Sequence, residues 1–334
     1  MSPSDSTTSV VIPAFDAAST IGATLRSVLA RLGPDDEVLV CDDGSRDATA
    51  QIAASIGDAR VRVLHGPHSG TPSVPRNRGI EAARGDLVFF VDADDLALGD
   101  KFRCSREALA AHADAAMVFT DFQRIDAGGE VFQESALANY ELKRRLGDGP
   151  VHRLEPAAVT RLLARENFVG TSGVAVRADV LRTLGGFDPG LPNSEDRDLW
   201  FRIAREHPIV FLDEVLHAYR SAPAGITARA HADTAPARLE VFHRQLDRAL
   251  DDTHARDLRA SMAACLDAVA YEAFREGSMR KSRHAALRAW RLQPRAARLR
   301  RAALTCLGSG LVDRLRHVRR LRRPHRVSHG PDLP

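Results

Sequence analysis

Residues 87–95, Leu-Val-Phe-Phe-Val-Asp-Ala-Asp-Asp, pass without interruption from an apolar run to a cluster of carboxylates. The run follows Gly85 and is short, apolar and aromatic, which is the pattern of a buried strand. Three aspartates stand where that strand should surface. In an extended chain Asp92 and Asp94 lie on one side, because side chains alternate with a period of two. Two carboxylates on one side repel each other unless a cation stands between them. Hard cations such as Mg²⁺ take oxygen ligands and commonly combine one or two carboxylates with substrate phosphates. The motif fits a metal–phosphate site at the mouth of a sheet, and fits an Asp-rich surface turn equally well. The rest of the chain has to separate these readings.

The segments before it alternate. Ser9 to Pro13 reads as a strand, and Ala18 to Leu32 carries Ile21, Leu25, Val28, Leu29 and Leu32 on one helical face. Glu37 to Cys41 reads as a second strand, broken by Asp42-Asp43-Gly44-Ser45. A helix over 47–56 follows, then a strand over 61–64. A Gly/Pro-rich loop over 65–75 leads to a helix over 77–83. Strands are also expected at 116–122, 173–177 and 209–215, and helices at 179–184 and from Ser194 as N-cap. Residues 124–160 read as a variable loop with short helices. Strands alternating with helices imply a mostly parallel, Rossmann-like α/β sheet flanked by helices. Ligands of such sheets bind beyond the carboxyl ends of the strands. Pro13, Asp42 and Asp92 all stand at such ends and should converge.

Within this frame four further patterns carry possible chemistry. Asp42 can accept a hydrogen bond from a nucleobase imide, with Gly44 allowing close approach; the plain alternative is an Asx turn capping the next helix. Arg76, after the Ser69-Gly70 loop, can anchor carboxylates or phosphate, or be a solvated surface residue. Glu195 and Asp196 open a helix, where the dipole favours ionised carboxylates. Ionisation is required of a general base, although dipole complementation alone explains acids in a first turn. Trp200, one turn on, is either a core residue or a platform for a sugar ring. His217 and Arg220 follow the last strand, where Arg220 can meet phosphate and His217 can ligate a metal or, more simply, be structural.

Taken in order, these stretches resemble the inverting glycosyltransferases of family 2, with the GT-A fold. The matching segments are 9–15 (Ser-Val-Val-Ile-Pro-Ala-Phe), 40–49, Arg76 to Ile80, Gly85-Asp86, Asp92 to Asp95, Gly185 to Asp188 and Glu195 to Arg202, within residues 8–222. The resemblance implies a nucleotide pocket lined by Pro13, Ala14, Asp42 and Asp43, with Asp42 at the base and Arg76 and Arg220 also among the donor contacts. It implies Asp92 near ribose or metal, Asp94 on Mg²⁺ or Mn²⁺ bridging the diphosphate, Asp196 as catalytic base, and Glu195 and Trp200 in the acceptor region. Where many relatives carry a histidine after the Tyr-Arg pair, this chain has Ser221-Ala222-Pro223. The implied activity is transfer of a sugar from a UDP-sugar to a glycan or lipid-linked hydroxyl in polysaccharide, glycolipid or glycoconjugate synthesis. A nucleotidyltransferase usually shows a Gly-rich, basic N-terminal loop, which residues 13–22 lack. A non-catalytic nucleotide-sugar-binding protein is the other alternative, against which stands the retention of Asp94 with Asp196.

The expected organisation is a disordered segment over 1–8, a GT-A domain over 9–228 and a helical basic region over 229–334. The net charge of +3 hides an asymmetry, since Asp313 is the only acid among the many arginines of 280–326. Leu304, Leu307, Leu311, Leu315 and Val318 recur there at helical spacing. A basic amphipathic helix can lie on an anionic membrane surface or pack as a bundle with a solvated basic face. Nucleic acid ranks below both, because stacking aromatics are few. No apolar stretch approaches the ~20 residues that span a bilayer. Four widely spaced cysteines, without CxxC pairs, fit a reduced cytoplasmic compartment, with peripheral attachment to the inner membrane face.

Overall fold

The computed structural model describes residues 6–221 and 231–307, with side chains at 231, 232 and 307 left aside. Residues 6–221 and 240–258 form one compact unit, and 231–239 with 259–307 belong to a second. The first unit begins β1 (Thr8–Ala14), α1 (Ile21–Leu29), β2 (Glu37–Asp42), α2 (Thr49–Ser55), β3 (Val61–His65), α3 (Ser73–Ala82) and β4 (Leu87–Phe90). It continues β5 (Leu96–Ala97), α4 (Lys101–Ala111), β6 (Met117–Ile125), β7 (Val131–Gln133), α5 (Glu141–Arg145), β8 (Val151–Leu154) and α6 (Pro156–Arg165). A 3₁₀ turn at Thr171–Gly173 precedes β9 (Ala175–Arg177), α7 (Ala178–Leu184), α8 (Glu195–Glu206) and β10 (Ile209–Arg220). Helices α9 (His231–Leu246), α10 (Asp252–Arg275), α11 (Met279–Leu292) and α12 (Ala296–Leu304) follow.

The main path of the sheet is β3-β2-β1-β4-β9-β6-β10-β5. Strands β3, β2, β1 and β4 pair in parallel, as do β6 and β10. Strand β9 lies antiparallel between β4 and β6, which restores the common direction beyond it. This is a mixed α/β sheet flanked by helices. The alternation of β1 explains its two faces. Val10 and Ile12 are fully buried with Val38, Val40 and Phe89 in the core that Ile21, Leu25 and Val28 of α1 share. Full burial of each such side chain contributes roughly 1.5–3 kcal/mol. Val11 faces the other way, toward α3.

The sequence expectations differ from the structure at several places. Strand β1 starts at Thr8, and the Thr7 amide donates to Asp86 at 3.0 Å, so the chain is already anchored before residue 9. The stretch 124–160 contains the edge strands β7 and β8 and the helix α6. Strands this short show little alternation to read. Strand β10 runs five residues beyond the expected end at 215 and carries His217 and Arg220 into the sheet. Ser194 holds the N-cap position of α8, yet it sits in the left-handed region at φ 62° and makes no capping hydrogen bond. Its hydroxyl donates instead to Asn193 Oδ1 at 3.1 Å.

In the second unit Ala270, Ala285, Ala286 and Ala302 pack together, as do Ala263, Leu266 and Ala289 with Leu239 and Leu292. Small side chains let the helices approach closely. No helix among the described residues is long and apolar enough to cross a membrane. Most of the basic amphipathic pattern expected over 300–334 lies outside the described residues.

One contact fixes the distance between α3 and the sheet. A Cβ at Gly79 would stand 2.4 Å from Val11 Cγ1 and 3.0 Å from Cys41 Sγ. Gly79→Ala should therefore destabilise the first unit by about 1–3 kcal/mol through overpacking, read as a lowered denaturation midpoint with the m-value unchanged.

Candidate functional site

The parallel register brings the expected residues to one edge. Ala14 stands opposite Asp42, Val11 opposite Phe90, and the Val91 amide donates to Val11 O, so Asp92 leaves the sheet beside them. Pro13, Ala14, Asp42, Asp43 and Asp92 thus share the carboxyl edge of β1, β2 and β4.

The two aspartates after β2 divide their work. Asp42 accepts from the Ser45 amide at 3.3 Å, an Asx-type turn, and lies 3.5 Å from His65 Nδ1. Asp43 is buried. Its Oδ2 lies 3.0 Å from the Ser69 amide, the Ser69 hydroxyl and His68 Nδ1, while its Oδ1 is buried with no partner. Gly44 has φ 73°, and a Cβ there would stand 2.7 Å from the His68 backbone N. The close approach that the glycine permits is made by the protein's own 66–68 loop. The His68 ring stacks on Phe15 at 3.9 Å between centroids, and the Arg46 guanidinium lies 5.2 Å from the Phe15 ring centroid. Phe15 received no role from the sequence; its position directly after Pro13-Ala14 at a strand end was the available signal.

Arg76, on α3, is the hub. Its Nη2 donates to Asp92 Oδ1 at 2.7 Å and its Nη1 to Glu195 Oε1 at 2.6 Å. The guanidinium lies 5.2 Å from the Phe187 ring centroid and is 5% exposed. Burial opposes its charge, but the Asp92 and Glu195 carboxylates outweigh burial and hold its pKa above the ordinary value. Burial pushes Glu195 up to about 7, with Arg76 opposing and Asp196 adding to the rise. Burial likewise raises Asp196, against the Arg197 amide, which donates to Asp196 Oδ1 at 2.6 Å, and against Asn167.

The turn after β4 alternates as its sequence implies. Asp92 and Asp94 are half-buried, while Asp95 points inward and is fully buried. Burial, then the Asp92 charge, pushes Asp94 up to about 6. The Asp92 amide donates to Ser172 Oγ at 3.0 Å, and Lys101, buried beneath, donates to the Ser172 carbonyl. Arg220 closes the turn from the other side. Its amide donates to Asp95 Oδ1 at 2.9 Å and its Nε to the Asp94 carbonyl at 3.0 Å. Its Nη1 donates to the Asp126 and Ala127 carbonyls. Where a phosphate contact was expected, the guanidinium is therefore engaged with main-chain carbonyls.

Trp200 and His217 both take the plainer of their two readings. Trp200 is fully buried, with its ring edge-on to Phe187 at 6.0 Å. It is a core residue with no face for a sugar, because α8 is buried around most of its circumference here: Leu199, Phe201 and Ile203 are also fully buried. His217 is buried against Thr120, 3.3 Å from its hydroxyl, and stacks on Phe122 at 4.9 Å. Burial and nearby Lys101 keep it neutral, well below its usual pKa.

Among the described residues no group of three or more His, Cys, Asp or Glu side chains could hold a metal ion. Asp92 and Asp94 are two half-buried carboxylates on the same turn. Such a set fits a hard cation that completes its shell with water and substrate phosphates. Removing the Arg76 charge while keeping its bulk, as in Arg76→Met, should cost about 3–5 kcal/mol of stability because it leaves buried Glu195 unpaired. Urea unfolding of that variant beside Arg76→Lys measures this, and Lys should recover part of the loss.

Comparisons with known proteins show what the chain is similar to. Residues 9–162 match the family model described as glycosyl transferase family 2. The succinoglycan biosynthesis protein ExoO of Rhizobium meliloti (strain 1021) is 38% identical over 130 residues, which is 38% of this chain and 37% of that protein. An uncharacterized protein of Mycobacterium tuberculosis is 28% identical over 73% of this chain and 75% of its own length. The UDP-Glc:alpha-D-GlcNAc-diphosphoundecaprenol beta-1,3-glucosyltransferase WfgD of Escherichia coli is 32% identical over 28% of this chain and 37% of its own. The match thus spans little more than a third of the lengths of ExoO and WfgD. The structure of S. aureus TarS residues 1–349 in complex with UDP-GlcNAc superposes with a TM-score of 0.64 at 18% identity, over 86% of this chain and 82% of that one. The sheet order and the matched segment lead to one statement: residues 9–162 match glycosyl transferase family 2, and the chain has the GT-A fold.

Proposed function

We propose that this chain transfers a sugar, with inversion, from a nucleotide-diphosphate sugar to an acceptor hydroxyl in the synthesis of a cell-surface polysaccharide, glycolipid or glycoconjugate. The observation that carries the reading is the junction of Asp92 and Glu195 through buried Arg76, with Asp196 next to Glu195. It joins the edge suited to a diphosphate to the edge suited to an attacking hydroxyl. UDP is the proposed nucleotide, in keeping with TarS in complex with UDP-GlcNAc and a UDP-Glc transferase among the relatives. The acceptor is a glycan or a lipid-linked glycan.

In this reading the nucleobase lies against Pro13, Ala14 and Phe15. Its imide N–H can satisfy a carboxylate of the Asp42-Asp43 pair, of which Asp43 Oδ1 is the orphaned acceptor. A buried acceptor without a donor costs free energy that a ligand N–H would recover. Asp94 and Asp92 would hold Mg²⁺ or Mn²⁺, which supplies Lewis-acid stabilisation of the charge developing on the leaving diphosphate. Asp196 takes the proton from the acceptor hydroxyl as the new C–O bond forms at the anomeric carbon and the bond to the diphosphate breaks. Arg76 holds Glu195 and Asp92 in place and keeps their charges from repelling. Basic residues of α11 and α12, with those beyond 307, suit an anionic membrane surface, where each near the bilayer contributes about 1 kcal/mol.

Asp196→Asn should keep UDP-induced thermal stabilisation and lose about 10²–10⁴-fold in turnover. Unchanged release of UDP from a donor–acceptor mixture would remove Asp196 from the mechanism. Asp94→Ala should abolish Mn²⁺-dependent transfer, and metal-independent activity in that variant refutes the cation site. Protonated carboxylates can neither accept the proton nor hold a cation, so the rate should rise with pH. Burial raises Glu195 to about 7 and also raises Asp196, so the acid limb of kcat/KM should lie well above the ordinary range of a free carboxylate. A rate already constant from pH 5 upward contradicts this. Deleting 300–334 should weaken sedimentation with phosphatidylglycerol vesicles; unchanged sedimentation rules out the tail as the membrane contact.

A further inference from the structure

Strand β7 exposes two large apolar residues side by side, Val131 at 46% and Phe132 at 59%. Single exposed apolar residues are ordinary. Adjacent ones on a strand outside the main path of the sheet are a liability unless something covers them. The register explains how Phe132 comes to project. Arg124 pairs with Gln133, but Ile125 pairs with Val131, so Phe132 is the additional residue of a bulge. Bulges concentrate at sheet edges and beside active sites, where they re-aim a side chain.

The hairpin that carries Phe132 is stiff. Asp126 accepts from the Gly129 and Glu130 amides at 3.1 and 2.9 Å, and Gln133 Nε2 donates to the Ser135 carbonyl at 3.1 Å. It is also fastened to the candidate site. Arg220 holds the hairpin carbonyls of Asp126 and Ala127 with one nitrogen and the Asp94 carbonyl with another, each at 3.0 Å. One side chain thus links the aspartate turn to the loop that presents the aromatic ring.

We propose that Phe132 is the platform on which a pyranose ring of the acceptor glycan lies. This rests on the glycosyltransferase reading above and adds the binding subsite. The C–H face of a sugar ring packs on an aromatic face, and its hydroxyls need polar neighbours. Exposed Glu130 and Glu134 flank Phe132 and supply them. The same two charges repel an anionic bilayer, so the sugar, not a membrane surface or a lipid tail, is the occupant.

The test uses the full chain with UDP and Mn²⁺ on an array of immobilised bacterial oligosaccharides. Phe132→Ala should lower glycan binding by on the order of 10-fold, the scale of one aromatic contact, and Phe132→Tyr should restore it. UDP-induced thermal stabilisation should be equal in all three proteins. Glycan signals that ignore the Ala variant, or no glycan signal from the wild type, overturn the inference. A wild type that UDP fails to stabilise overturns the donor reading beneath it, so the two failures are distinguishable.

Discussion

One buried cation organises this molecule's working edge. Arg76 bonds a carboxylate from the turn after β4 and one from the start of α8, 119 residues later. Buried Glu195 alone would be costly, and the arginine alone likewise. Together they fix three elements, α3, the β4 turn and α8, at separations set by a planar fork that lysine cannot reproduce. Asp196 is placed by this arrangement, because it is the next residue on the same helix. Phe187 lies on the guanidinium and touches Trp200, so the ion triad rests on the aromatic core.

Beneath that edge a second set of groups holds the aspartate turn from inside. Lys101 reaches the Ser172 carbonyl, Ser172 receives the Asp92 amide, and Asp95 receives the amide of Arg220. Burial lowers the Lys101 pKa to about 7, with Asp95 opposing. Each of these groups has a partner inside the protein, although the second carboxylate oxygen of Asp95, Oδ2, is buried without one. The outward carboxylates, Asp92 and Asp94, are therefore presented by a turn that is held on both sides.

Much of this was legible in the chain. Short apolar runs ending in Pro13, Asp42 and Asp92 placed the strands and their common edge, because alternation and strand-end polarity are local properties. The i, i+2 spacing of Asp92 and Asp94 put both on one side, and the intervening burial of Ala93 agrees. What was not legible depends on distant partners. Trp200 reads the same whether it faces core or solvent until Phe187 is found beside it. Arg220 reads as a phosphate ligand until the carbonyls of Asp94 and Asp126 are brought to it by the long β10. Ser194 has the chemistry of a cap, but the path of the chain forces a positive φ and turns its hydroxyl away. The edge strands β7 and β8 are three and four residues long, too short for a period to show.

The reversed strand β9 has a consequence for how this site can change. In a parallel sheet every strand leaves at the ligand-binding edge, so loops reach that edge only after a strand. A strand of opposite direction enters there instead. The segment ahead of β9 thus arrives at the site before the sheet constrains it, bringing Asn167 to Asp196 and Ser172 to Asp92. Its length is bounded by α6 on one side and three strand residues on the other. Because Phe168 and Val169 of this passage are themselves buried, it is pinned to the core at its centre, and a change in its length acts on Asp196 and the aspartate turn together.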